Sequence, residues 1–112
     1  MSIDIAGFSA LAEIDEAEAA ALVTGLRTLL EGLAEQQGGR IFNTAGDGFM
    51  LEFCSAAGAM AAADALRGGQ QGRRVRVGVH VGDVIATPRG GLLGHGVNIA
   101  ARLQAEAPPG GI

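Results

Sequence analysis

The sequence has few of the residues that build disulfide-rich, membrane-spanning or nucleic-acid-stacking proteins. Cys54 is the sole cysteine of the 112 residues, which excludes an internal disulfide and favours a reducing compartment. Trp and Tyr are absent and four Phe are the only aromatic residues, so platforms for stacking single-stranded nucleic acid are poorly supplied. No apolar run approaches the ~20 residues that cross a bilayer, and no secretory signal pattern opens the chain. We therefore expect a cytoplasmic protein without a membrane span.

Positive charge is also scarce. Eight Lys and Arg stand against 12 Asp and Glu, and the formal net charge of −4 argues against nucleic-acid binding through a general basic surface. Hydrophobic residues make up 48% of the chain and charged residues 18%, a balance at odds with intrinsic disorder. The length suits one domain, which we assign to residues 1–112. Glycine, by contrast, is abundant at 19 residues and clusters between apolar segments, as turns require.

Apolar periodicity predicts alternating strands and helices. The first helix has Asp15 with Glu18, or alternatively Ser9, as candidates for capping its start, and Gly38-Gly39 as its end. An Asp-Gly turn at Asp47-Gly48 joins the predicted hairpin. Loops are expected at 68–73 and 88–94. The predicted elements are strands at 2–5, 40–44, 49–53, 75–81 and 83–86 and helices at 11–36, 56–67 and 97–107.

This order is β-α-β-β-α-β followed by a further strand and helix. It predicts the α+β class and a ferredoxin-like fold, the palm-type split βαβ arrangement in which an antiparallel sheet carries helices on one face. The chain stops just after Pro108-Pro109, so we expect a C-terminally shortened form of this fold.

Two aspartates are candidates for holding metal ions. Asp4 lies in the first strand and Asp47 in the hairpin turn, and these strands are commonly central neighbours in a split βαβ sheet. Mg²⁺ takes one or two carboxylates, keeps waters and adds substrate phosphates, and two such ions can clamp a phosphoryl displacement. The alternative is that Asp47 belongs to an ordinary hairpin turn and Asp4 faces solvent.

Two further features suit a phosphorylated ligand. Gly7 lies where the first strand gives way to a helix, and backbone N–H groups at a helix N-terminus bind phosphate. Asn98 and Arg102 are four residues apart on the last helix and share one of its faces. An amide there could orient a ribose and a guanidinium could neutralise a phosphoryl group. The alternatives are a turn that binds nothing and a solvated helix face.

The remaining titratable residues have ordinary interpretations. His80 and His95 lack partners at metal-ligand spacing, and Cys54 has the pattern of a small buried hydrophobe. The arginines at 73, 74 and 76 are interpreted as a solvated strand edge.

Four sequence blocks, in this order, resemble those of the class III nucleotidyl cyclase catalytic domain. They are DIAGFS at residues 4–9, GGRIFNTAGDG at 38–48, VGVHVGDV at 77–84 and GHGVNIAARL at 94–103. The blocks extend across nearly the whole chain, and their combination is far more specific than any one of them.

The resemblance implies a homodimeric enzyme that converts ATP, or less readily GTP, to the 3′,5′-cyclic monophosphate and pyrophosphate. By analogy, Asp4 and Asp47, helped by the Ile5 carbonyl, would hold two Mg²⁺ or Mn²⁺ ions. Asn98 would orient the ribose, and Arg102 would stabilise charge on the α-phosphoryl group from the opposite subunit. The phosphates would be held by the backbone at Gly7, Phe8 and Ser9.

Base recognition departs from the family pattern. Asn43 occupies the position that is often a purine-reading lysine, although its amide can still pair with an adenine edge. Gly91 occupies the position of the usual aspartate or threonine partner and has no side chain to bind a base. These departures favour an alternative function, a non-catalytic nucleotide-binding or dimerisation domain that regulates a partner.

Overall fold

The structure, a computed structural model, describes residues 1–69, 74–82 and 85–112. Its elements follow the predicted order of strands and helices, with one additional helix and one additional strand. In chain order they are β1 (Ser2–Ile5), α1 (Phe8–Ile14), α2 (Glu16–Gln36), β2 (Gly39–Ala45), β3 (Gly48–Phe53), α3 (Ala56–Gly68), β4 (Val75–Gly78), β5 (Ile85–Ala86), β6 (Leu92–Leu93) and α4 (His95–Glu106).

The main sheet has the strand order β2-β3-β1-β4, and each neighbouring pair is antiparallel. Strand β1 is central: Ser2 pairs with Met50 of β3 on one side and with Gly78 of β4 on the other. This order is the one that a split βαβ unit produces, because each helical crossover leaves room for one strand in between. The predicted α+β, ferredoxin-like class is confirmed.

The hydrophobic core lies on one face of the sheet, under α2 and α3. Strand residues alternate in direction, so every second residue of β1, β3 and β4 points into this core. Leu26 and Leu30 of α2 and Leu66 of α3 are fully buried against them. The strand residues in the core are Ile3, Ile5, Phe49, Leu51, Val75 and Val77. The two crossover helices therefore share one face, as predicted.

Helix α4, which follows the split βαβ unit, packs against the opposite face. The side-chain position of Gly78 faces away from the core, because strand residues alternate and its neighbour Val77 is a core residue. A Cβ at Gly78 would lie 2.3 Å from both the Ala100 carbonyl oxygen and the Gln104 backbone nitrogen. Only glycine permits this approach of helix to strand. As a result, α4 forms a wall beside the face of β1 and β4 that does not carry the core.

The long helix predicted at 11–36 is two helices. Asp15 is extended, at φ −148° and ψ 92°, and ends α1. Its side chain accepts a hydrogen bond of 3.0 Å from the Glu18 backbone nitrogen and so caps α2. The alternative cap, Ser9, lies inside α1, which begins after Gly7. The leucine stripe does not reveal this break, because all of its members lie within α2: Leu22, Leu26, Leu29, Leu30 and Leu33.

Three boundaries near the C-terminal half also differ from the prediction. The strand expected to reach residue 81 ends at Gly78, and Val81 is 69% exposed. Strand β6 lies in the predicted loop and pairs with β5. Helix α4 begins at His95 rather than at residue 97. Parts of the predicted loop (70–73) and strand (83–84) lie outside the described residues.

The chain ends along the outer edge of β4. The Gly110 nitrogen donates to the Val75 carbonyl over 2.7 Å, and the Val77 nitrogen donates to the Gly111 carbonyl over 3.1 Å. Among the described residues, none of the helices has the length and apolar character to span a bilayer.

Candidate active site

The two predicted metal-binding aspartates, Asp4 and Asp47, line one open pocket of about 280 Å³. It lies beside α4, on the sheet face opposite the core. We call it the aspartate pocket; its described lining is Ser2, Ile3, Asp4, Asn43, Asp47, Gly48, Phe49, Met50 and Gln104. The antiparallel pairing of β1 with β3 produces this proximity, since it brings the β2–β3 turn to the end of β1.

The hairpin holds Asp47 at a defined position. Ala45 pairs with Gly48, which leaves Gly46 and Asp47 as the loop, so the turn is Gly-Asp rather than the expected Asp-Gly. Gly46 has φ +59°, and this left-handed conformation favours glycine at the first loop position. Asp47 Oδ2 accepts a 3.0 Å hydrogen bond from the Ile5 nitrogen. The carboxylate is therefore tied to the end of β1.

Asp4 is held by an arginine of the neighbouring strand. Arg76 pairs with Asp4 in the β1–β4 register and donates from Nε to Oδ1 over 3.0 Å and from Nη2 to Oδ2 over 2.8 Å. The hydrogen bond with Asp4 raises the pKa of Arg76 above its usual value, and the negative charges of Asp4 and Asp47 add to this effect. Partial burial acts in the opposite direction and lowers the pKa, but by less than these interactions raise it. The interpretation of Arg76 as a solvated edge residue is thus wrong. Arg74 is exposed, and Arg73 lies outside the described residues.

The donor set of this pocket suits a hard divalent cation. Asp4 and Asp47 supply carboxylate oxygens, and the Ile5 backbone lies beside Asp47. Within the described residues there is no group of three or more His, Cys, Asp or Glu side chains that could form a closed metal cage. Mg²⁺ is commonly bound by one or two carboxylates, and its remaining coordination positions are then filled by waters and substrate phosphates. The residues present therefore fit the ions that the resemblance implies.

A β-bulge turns Asn43 toward the pocket. Ile41 pairs with Leu51, whereas Asn43 pairs with Met50, so two residues of β2 advance against one of β3. Without this bulge Asn43 would share the core face with Ile41, because strand residues alternate. The bulge places Asn43 in the aspartate pocket, where sequence alternation alone would not put it.

Gly7 makes the predicted transition from strand to helix. It has φ +70° and precedes α1, and its carbonyl accepts a hydrogen bond from the Leu11 nitrogen over 3.1 Å. Phe8 is half-buried and packs against the core, while Ser9 is exposed. The first backbone N–H groups of a helix have no partner within it and remain able to bind an anion.

Asn98 and Arg102 lie on the exposed side of α4. Successive helical residues turn by about 100°, so Ala100 and Gln104 lie roughly opposite this pair and face the sheet. Neither Asn98 nor Arg102 is part of the described lining of the aspartate pocket. Within one chain, the predicted metal ligands and the predicted Asn/Arg pair are therefore on separate surfaces.

Gly91 lies in the β5–β6 hairpin and not in the described lining of the aspartate pocket. Its nitrogen donates to Thr87 Oγ1 over 2.9 Å, and its carbonyl accepts from the Thr87 nitrogen over 2.8 Å. Its backbone is thus used within the hairpin.

Gln104 is a pocket residue that the sequence analysis missed. The residue is 9% exposed and lines the aspartate pocket, and its Nε2 has no hydrogen-bond partner among the described residues. A buried amide without a partner is costly and commonly marks a place where a ligand or ordered water completes the bonding. The available signal was helical spacing: Gln104 lies four residues after the buried Ala100.

A second pocket surrounds Met1 and includes His80 and Cys54, but its described lining holds none of the predicted site residues. Cys54 is exposed, so its interpretation as a buried hydrophobe is wrong. The aspartate pocket remains the candidate active site.

Comparison with known proteins gives consistent results. No protein-family model matches the chain. The chain is 36% identical, over an alignment of 123 residues, to a Rhizobium meliloti (strain 1021) protein named "Putative adenylate cyclase 3". The alignment takes in 100% of this chain and 21% of that protein, so the chain spans about a fifth of this curated relative.

Solved structures share the fold. An adenylate/guanylate cyclase/hydrolase from Silicibacter pomeroyi has a TM-score of 0.76 and 33% identity, over 97% of this chain and 70% of that one. A bacterial light-regulated adenylyl cyclase has a TM-score of 0.73 and 24% identity, over 93% and 38%. A guanylate cyclase domain from Catenaria anguillulae, in complex with GTP, has a TM-score of 0.67 and 18% identity, over 97% and 72%. The last two, at this low identity, bear on the fold alone.

Proposed function

This chain belongs to the class III nucleotidyl cyclase catalytic-domain family, and from that premise we propose that it converts ATP, in preference to GTP, to the 3′,5′-cyclic monophosphate and pyrophosphate. The observation that carries the proposal is the aspartate pocket, in which the tertiary structure joins Asp4 and Asp47 from separate parts of the sequence. The adenylate cyclase name of the curated relative supports the choice of reaction.

Asp4 and Asp47 are the proposed ligands of two Mg²⁺ or Mn²⁺ ions, with the Ile5 carbonyl as a further oxygen. When bound, such ions lower the pKa of a ribose 3′-hydroxyl and neutralise triphosphate charge. The hydrogen bond from Ile5 holds Asp47 in place before any ligand arrives. Gly7, Phe8 and Ser9 would contribute backbone N–H groups to the phosphates, since α1 begins beside the end of β1.

The proposed site is shared between two copies of the chain. Asn98 and Arg102 lie on the exposed side of α4, away from the aspartates of their own chain. A homodimer with two-fold symmetry would bring each pair onto the aspartate pocket of the other subunit and would create two equivalent sites. Asn98 would then orient the ribose, and Arg102 would stabilise charge developing on the α-phosphoryl group.

Asn43 supports the preference for ATP. It lines the aspartate pocket, and its side-chain amide offers both a donor and an acceptor, the pattern that an adenine edge requires. Gly91, which has no side chain, adds no base contact.

The test is a turnover assay on purified protein at high concentration, with Mn²⁺ and either ATP or GTP and chromatographic detection of the cyclic product. Asp47→Asn is the matched blank, because it keeps the side-chain shape and removes the charge. We expect cyclic AMP above the blank and a slower reaction with GTP. Equal rates for the two nucleotides would contradict the preference, and product formation by Asp47→Asn at the rate of the unmodified protein would contradict the site.

One observation favours the non-catalytic alternative. Gly91 has no side chain for base recognition and its backbone bonds within its own hairpin. A regulatory domain would bind nucleotide, as seen by calorimetry, and would form no product with either metal ion.

A further inference from the structure

The guanidinium of Arg76 occupies both oxygens of a proposed metal ligand. Its Nε lies 3.0 Å from Asp4 Oδ1 and its Nη2 lies 2.8 Å from Asp4 Oδ2. Parallel paired bonds of this kind are the strongest contact that an arginine makes with a carboxylate. We propose that Arg76 competes with divalent cations for Asp4 and so sets how weakly the site holds metal before nucleotide binds; this inference rests on the proposed function.

Arg76 and a divalent cation are both positively charged and compete for the same negative carboxylate. Asp4 and Asp47 together carry two negative charges in the aspartate pocket, and Arg76 neutralises one of them. A cation bound to Asp4 would also lie near the guanidinium, and like charges a few ångströms apart repel each other. Arg76 therefore lowers metal affinity both by holding the oxygens and by repulsion.

The ion pair between Arg76 and Asp4 is partly buried, so it is stronger than a fully exposed pair and still accessible to a competing cation. The side chains of Arg76 and Asp4 are 31% and 22% exposed, so solvent screens the pair only in part. The strand register also fixes the pairing, since Asp4 lies directly opposite Arg76. The backbone pairing of β1 with β4 thus holds the two side chains next to each other, which is not the case for most ion pairs between long side chains on a protein surface.

The chain offers a matched control. Arg40 of β2 forms an ion pair with Glu52 of β3, and neither residue belongs to the described lining of the aspartate pocket. Arg40→Gln and Arg76→Gln make the same change in net charge. Only Arg76→Gln removes the guanidinium that contacts Asp4. The comparison therefore distinguishes an effect of the protein's net charge on Mn²⁺ binding from an effect of the contact with Asp4.

The experiment measures Mn²⁺ binding to the nucleotide-free protein from the electron paramagnetic resonance signal of free Mn²⁺. We expect Arg76→Gln to bind Mn²⁺ about tenfold more tightly than the unmodified protein, in line with the loss of one nearby positive charge. Arg76→Lys should restore most of the weaker binding, and Arg40→Gln should leave it unchanged. Circular dichroism verifies that each variant is folded.

Unchanged or weaker Mn²⁺ binding by folded Arg76→Gln would overturn the inference, as would an equal gain in Arg40→Gln or no Mn²⁺ binding by any of the proteins. Turnover is measured separately on the unmodified protein, so loss of the inference alone is distinguishable from loss of the proposed function.

Should Arg76→Gln fail to fold, the unmodified protein provides the test. The arginine Nε–H signals in a nitrogen-15 spectrum report the pair during titration with Mg²⁺. We expect the Arg76 signal to shift as the contact with Asp4 breaks, while the Arg40 signal stays constant. An Arg76 signal that does not respond to saturating Mg²⁺ would refute the competition.

Discussion

At the scale of single residues, Asp47 has two separable properties. Its charge makes it a proposed metal ligand, and its Oδ2 atom accepts a hydrogen bond from the Ile5 nitrogen. Asparagine retains an acceptor oxygen without the charge, whereas alanine retains neither. Substitution can therefore distinguish chemistry from structure at this one position.

We expect Asp47→Asn to lower turnover at least a hundredfold while leaving the free energy of unfolding nearly unchanged. Asp47→Ala should lose turnover to the same extent and also cost about 1 kcal/mol of stability, because the Ile5 N–H loses its partner. Cyclic product formation and urea denaturation measure the two effects. An alanine variant as stable as the unmodified protein would show that this hydrogen bond contributes nothing.

At the scale of elements, the position of α4 depends on the absence of a side chain at Gly78. A Cβ there would lie 2.3 Å from backbone atoms of Ala100 and Gln104, and backbone cannot rotate away as a side chain can. The contact also determines where Gln104 enters the aspartate pocket. Stability and site geometry therefore depend on the same close approach.

Gly78→Ala should destabilise the protein by about 3 kcal/mol, the cost of overpacking against backbone. Gly32→Ala is the control, because Gly32 lies within α2 and a Cβ there would meet nothing within 4 Å. It should raise the free energy of unfolding by ~0.5 to 1 kcal/mol through helix propensity. Urea midpoints measure both, and a Gly78→Ala variant of unchanged stability would refute the packing of α4.

The break between α1 and α2 gives a second prediction at this scale. Asp15 caps α2 through the Glu18 nitrogen, so Asp15→Ala should cost about 1 kcal/mol. Asp15→Asn should be nearly neutral, since asparagine caps as well as aspartate does. Thermal or urea unfolding of the two variants tests this, and equal loss in both would mean that the charge of Asp15, rather than its hydrogen bond, stabilises the helix.

At the scale of the whole molecule, the separation of Asp47 from Arg102 has a consequence for mixed dimers. In the proposed homodimer each site takes its aspartates from one subunit and its Asn/Arg pair from the other. A dimer of one Asp47→Asn chain and one Arg102→Ala chain then has both defects in one site and neither in the other.

Mixing these two inactive variants should therefore restore activity. Random exchange makes half of the dimers mixed, and one of the two sites in each is intact, so about a quarter of the unmodified activity should return. The measurement is cyclic product formation after co-refolding, with each variant alone as its control. No recovery from mixed dimers of confirmed composition would contradict the shared site.

Much of the fold follows from local sequence patterns. The alternation in β1 and β4 and the leucine stripe of α2 each depend on neighbours within a few residues. The same holds for the cap of α3, where the Ser55 side chain accepts a hydrogen bond from the Gly58 nitrogen. The order of these elements was enough to predict the ferredoxin-like class, because short connections and right-handed crossovers leave few arrangements for β-α-β-β-α-β. The boundaries were less predictable: the break at Asp15 and the early end of β4 do not disturb the apolar pattern.

The candidate site likewise has one part that local sequence predicts and another that depends on the tertiary structure. The sequence by itself determined the residue types, Asp4, Asp47, Asn98 and Arg102, because their motifs are local and carry the family resemblance. Only the tertiary structure decided which of them meet. Strand register placed Arg76 on Asp4, a bulge turned Asn43 into the pocket, and the close approach at Gly78 brought in Gln104 while leaving Asn98 and Arg102 exposed. These contacts join residues far apart in the chain, and their geometry depends on the packing of the whole sheet, which no local pattern specifies.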